Sequence, residues 1–138
     1  MSKHTTNYYN TFVTVAEDCP VTEAEIPPTK GDKLTVALRQ FQMIAEHPYT
    51  YTSDDVLFQV YAERNELAVQ EWNSARELFF SKGQPCFRAS PLTKRYGWGV
   101  HANEEGKLAL YGVGTQQYER LAATGGLNIV KAMNSKKK

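Results

Sequence analysis

The sequence predicts an α+β domain: an antiparallel sheet of about four strands with helices packed mainly on one face. Three observations predict it. Stretches that alternate apolar and polar residues fall near 9–16, 95–102, 107–113 and 127–133. Between the first and second of these, a block from 33 to 79 repeats its apolar residues at three- and four-residue steps instead. The helical block comes in one piece between strands, which argues against alternating parallel units. With 138 residues the chain has the length of one domain, expected over 1–133, followed by a polar, basic tail at 134–138 expected to be disordered.

Taking the elements in order, Tyr9 to Ala16 is rich in β-branched and aromatic residues and reads as a strand. Asp18-Cys19-Pro20 stops it, and the segment to Gly31 with Pro27-Pro28 reads as an extended surface loop. Its acidic residues have no fixed element beneath them, so they read as a solvated loop rather than a metal site. Leu34, Ala37, Leu38, Phe41, Ile44 and Ala45 then form one helical stripe, with Asp32 as the expected cap and Pro48 ending the helix at His47. Thr52 and Asp55 have capping-box spacing and open a second helix. The pattern runs on to Phe79, but Ser74 with Glu77 repeats the capping spacing, so two helices broken between Asn65 and Asn73 are expected. Gly83 ends the helical part, and Phe87–Ser90 reads as an edge strand or extended connector. Tyr96–Ala102 and Lys107–Val113 form a hairpin across Asn103-Glu104-Glu105-Gly106. Thr115 caps a short helix closed by Gly125-Gly126, and Leu127–Met133 is the final strand.

Composition narrows the class. With 41% hydrophobic and 22% charged residues the chain is globular rather than disordered. There is no apolar run near the roughly 18 residues a membrane span needs and no signal-peptide pattern, so a cytoplasmic protein without membrane contact is expected. Cys19 and Cys86 stand far apart and match no metal-ligand spacing. No zinc-binding pair, Walker loop or dinucleotide fingerprint occurs, so no metal and no cofactor is expected. The net charge of +1 conceals a division: residues 1–77 carry six basic and twelve acidic groups, residues 78–138 ten and three. Either the two parts neutralise each other, or the surface is dipolar and its basic side attracts an anion.

The most unusual stretch is Lys82 to His101, where no acidic residue interrupts the chain between Glu77 and Glu104. Within it, Arg88, Lys94, Arg95, Trp98 and His101 combine positive charge with stacking surface and form the candidate ligand-binding set. A total charge of +1 is far from the basic balance of nucleic-acid binders, so nucleic acid is not the expected partner. Gly97 and Gly99 leave one strand face bare, which suits either close packing or the floor of a shallow site. Cys86 with His101 is the only nucleophile–base pairing worth weighing, and it would need spatial contact and a third orienting group.

Asn10-Thr11-Phe12, Asp18-Cys19-Pro20, Pro48-Tyr49, Thr52-Ser53-Asp54-Asp55-Val56 and the block KGQPC-x-R-x-SPL-x-KRYGWG over 82–99 run through nearly the whole chain. Together they resemble a small uncharacterised bacterial single-domain family, a domain of unknown function. The resemblance implies one bacterial domain and transfers no catalytic residue. The expected function is a cytoplasmic binding module for a small anionic ligand or an acidic partner through residues 88–101. The alternatives are an enzyme using Cys86 or His101, and a structural or self-associating domain; the sequence sets no oligomeric state.

Overall fold

The computed structural model describes residues 4–134. The expected basic tail lies outside the described residues apart from Asn134. Strand β1 (Thr11–Thr14) buries Thr11, Phe12 and Val13. The chain then crosses the surface as far as Lys30 and Lys33, whose backbones pair with each other around Gly31-Asp32. Helix α1 (Val36–Glu46) begins three residues later than Asp32 would place it, because the Thr35 hydroxyl accepts from the Leu38 amide.

Helix α2 (Ser53–Arg64) has the expected capping box: Thr52 Oγ1 accepts from the Asp55 amide at 3.1 Å and the Thr52 amide donates to Asp55 Oδ2 at 3.0 Å. Three stripes run along it. Val56 and Val60 face the sheet, while Phe58 and Ala62 face α3 (Trp72–Phe79) and Phe80. Leu57, Tyr61 and Arg64 form the third stripe and stay partly or largely exposed. The helical block breaks between Asn65 and Trp72, as its pattern suggests. Ser74, however, lies inside α3 with its hydroxyl donating to Glu71 O, so it caps nothing.

The stretch expected as an edge strand is instead a 3-10 turn, Phe87–Ala89, followed by the short helix α4 (Pro91–Lys94). Ser90 Oγ accepts from the Leu92 amide and Pro91 occupies the first turn, a helix start that proline's fixed φ favours. Strands β2 (Trp98–Ala102) and β3 (Leu108–Gly112) form the hairpin, then come α5 (Gln116–Ala122) and β4 (Asn128–Lys131).

The sheet order is β3-β2-β1-β4. It is mixed rather than antiparallel, since β1 pairs antiparallel with β2 but parallel with β4. The cause is the connection over residues 113–127: it carries α5 across the sheet, and a helical crossover returns the chain parallel. α1, α2 and α4 cover one face and bury Val13, Val100, Ala102 and Leu108 with Met43, Ile44, Val56 and Leu92. α5 covers part of the other. There Gly99 makes the room: a Cβ on it would lie 2.5 Å from Phe12 Cζ and 2.8 Å from Tyr118 Cε2. Tyr118 meets Phe12 edge-on at 5.1 Å, and its hydroxyl accepts from the Val15 amide at 2.9 Å. Gly97 precedes the strand at φ +80° and is crowded by Val21 and Val113. Both glycines therefore serve packing.

Candidate functional site

The five residues singled out in the sequence do not share one surface. Trp98 and His101 stand three positions apart on β2 and so point to opposite faces. Trp98 packs against Phe41 at 5.1 Å on the helical side and donates its indole N–H to Glu25 O at 2.8 Å. His101 lies on the outer face, where its Nδ1 is 2.8 Å from the Tyr49 hydroxyl, itself 2.8 Å from the Tyr111 hydroxyl. Burial pulls the His101 pKa down and pushes the Tyr49 pKa up, so the imidazole and that phenol are neutral at neutral pH. Arg88 Nε donates to Lys131 O at 2.6 Å beside β4. Lys94 is half-buried at the end of α4, and Arg95 is exposed just after it.

Among the described residues no carboxylate lies within ion-pair distance of Arg88, Lys94 or Arg95. The pairs that do form are Arg39–Glu63 and Arg76–Asp55 within the first part of the chain, and Lys131–Glu17 between the parts. Among the described residues, then, ion pairing between the two parts engages Lys131 and leaves Arg88, Lys94 and Arg95 without a carboxylate.

A different feature gathers the front of the unusual block. Between α1, α2, Phe79 and the segment Gln84–Pro91 lies an open cleft of about 320 Å³. Its walls are Val36, Leu57, Val60, Tyr61, Phe79, Pro85, Ala89 and Pro91. The segment is held in place by Gln84 Nε2, which donates to Phe79 O at 2.7 Å, and by Thr93 Oγ1, which donates to Phe87 O at 2.6 Å. The neutral polar side chains that line it are Gln40, Asn65, Gln84 and Ser90. Gln40 is buried, and Ser90 Oγ occupies its carboxamide oxygen at 3.1 Å, so what it can offer a ligand is its Nε2 donor. Arg64 stands at the rim. Its neighbour Glu63 has both carboxylate oxygens engaged by Arg39, at 2.8 and 3.0 Å, which holds the Glu63 pKa below the usual carboxylate range. Among the described residues Arg64 has no carboxylate partner, and none lines the cleft.

Cys86 is also in the wall, with Sγ 3.1 Å from the Tyr8 hydroxyl. Burial first, then Cys86, pushes the Tyr8 pKa up, while the Arg88 charge pulls the other way. A phenol this hard to ionise cannot take the thiol proton. His101 is on the far side of the sheet, so the structure does not bring Cys86 and His101 together. Among the described residues no cluster of three or more His, Cys, Asp or Glu could hold a metal ion, and no helix is long and apolar enough to cross a membrane.

A sequence model described as a family of unknown function, DUF6157, matches residues 3–138. The chain belongs to that family. No curated protein and no solved structure matches it. The family's description carries no activity, so the reading of the site rests on its own geometry. Sequence reasoning reached Cys86 and the surrounding block but missed Gln40, Leu57, Tyr61 and Arg64. The signal was there: Leu57, Tyr61 and Arg64 follow a 4-3 helical step that belongs to neither of the stripes α2 buries.

Proposed function

We propose that this domain, taken as one unit over residues 1–133, binds a small ligand with an apolar body and an anionic group, seated in the cleft beneath Gln84–Pro91. The observation that carries this reading is Arg64: an exposed guanidinium without a carboxylate partner among the described residues, at the rim of a cleft whose other walls are mainly apolar with a few neutral polar side chains. Pockets that bind small molecules combine such walls with few, well-placed polar groups. The anionic class of ligand follows from Arg64, the one cation lining the cleft among the described residues, which belongs to the acidic first part of the chain; the position shifts from residues 88–101 towards 84–91. Arg88, Lys94, Trp98 and His101 act in this reading as neighbours of the site or as scaffold, while Arg95 lines a depression adjoining it. A cytoplasmic setting accords with Cys19 and Cys86, both free, and a bacterial source with the sequence resemblance.

Isothermal titration with octanoate and octanol tests the reading. Octanoate should bind the native protein more tightly than octanol does, and Arg64→Ala should abolish that difference. Equal binding of the two by the native protein would overturn it. The rival enzyme reading rests on Cys86 in the cleft wall. It requires the thiol to react with iodoacetamide near neutral pH faster than a free cysteine does; a slower reaction removes it.

A further inference from the structure

Resting on the cleft reading above, we infer that the charged end of the ligand is a phosphate monoester rather than a carboxylate. Three depressions meet at Val36. The apolar cleft is one; a second is lined by Lys30, Lys33, Leu34 and Arg64; a third runs past Lys30 and Arg95 to Tyr96. Val36 lines all three, Arg64 the first two, and Lys30 the last two. Four cations, Lys30, Lys33, Arg64 and Arg95, thus line these adjoining depressions, with Arg64 in the apolar cleft itself. Among the described residues none of them has a carboxylate within ion-pair distance, and no Asp or Glu lines any of the three depressions. Asp32 sits in the turn between Lys30 and Lys33 and lines none of them.

A carboxylate brings one charge and two oxygens, which a single guanidinium satisfies. That would leave Lys30, Lys33 and Arg95 in the adjoining depressions without a use. A phosphate monoester carries about −1.5 to −2 charges at pH 7 and offers three acceptor oxygens. It is the simplest group that employs all four cations. The recess lies between helices and takes one chain or ring, so the ligand is a soluble phosphorylated amphiphile rather than a bilayer surface.

Titration calorimetry with octyl phosphate, octanoate and octanol, and cosedimentation with phosphatidic acid vesicles, test the assignment. Octyl phosphate should bind about tenfold tighter than octanoate, and its affinity should fall more steeply with salt. The double variant Lys30→Ala/Lys33→Ala should bring octyl phosphate close to octanoate and leave octanoate unchanged. If the two ligands bind equally and the double variant alters neither, the phosphate assignment is overturned while the cleft reading stands. If none of the three binds, both fall. Cosedimentation with vesicles without binding of octyl phosphate overturns the assignment in favour of a lipid surface.

Discussion

At its N-terminal end helix α2 carries Asp54 and Asp55, and both carboxylates are taken. Thr6 donates to Asp54 Oδ1 through its amide and its hydroxyl, both at 2.7 Å, Thr5 Oγ1 donates to Oδ2 at 2.7 Å, and Asp55 serves the capping box and Arg76. At the C-terminal end, nearly three turns on, Arg64 has no carboxylate partner among the described residues, while its neighbour Glu63 is held by Arg39. The same helix therefore has both carboxylates of its first turn hydrogen-bonded and, among the described residues, leaves the Arg64 guanidinium of its last turn without a carboxylate beside the cleft. Satisfied charges hold the fold together here, and unsatisfied ones mark where something else is expected to bind.

If that contrast is right, changes in filled regions should cost stability, and changes at the cleft should cost affinity alone. The largest stability loss should come from Gly99→Ala. Its methyl would press on Phe12 and Tyr118, both buried, at a cost of about 3 kcal/mol. A melting temperature unchanged by Gly99→Ala would mean that α5 stands off the sheet. Asp54→Ala comes next, at about 2 kcal/mol by denaturant unfolding, because it strips the N-terminal segment of its charged acceptor. Arg64→Ala should change stability by no more than about 0.5 kcal/mol, since the side chain is exposed and has no carboxylate partner among the described residues. A loss as large as that of Asp54→Ala would break the comparison.

The smallest effect is a pH dependence. Burial lowers the His101 pKa in the folded protein, so on acidification the unfolded chain takes up its proton first. Stability from this group is whole above the unfolded value of about 6.5 and declines as pH falls from there towards the lower folded value. The melting temperature of His101→Gln should accordingly fall less between pH 7 and pH 5 than that of the native protein. Parallel curves would show that burial does not restrict protonation of His101.

Much of the architecture was legible because local chemistry set it. The capping box at Thr52 and Asp55, the stripe of α1 and the hairpin around Gly106 each depend on neighbours in sequence. The parallel pairing of β4 depended on where α5 carries the chain, although the helix within residues 113–127 already required a crossover. Ser90-Pro91 is a helix start that the β-like residues around it disguised. The site was harder to read because it joins Arg64 to Gln84–Pro91 across a fold-dependent distance. Charge counting drew attention to Arg88, Lys94 and Arg95 but could not show that Glu63 is occupied and Arg64 is not.

A structure of the protein with octyl phosphate tests the central claim most directly. The apolar chain should lie between Leu57, Val60 and Pro91, with the phosphate on Arg64 and the Lys30–Lys33 turn. A ligand seated instead on the outer face beside Tyr49 and His101, or an Arg64 side chain turned to a carboxylate with the cleft empty, would contradict it.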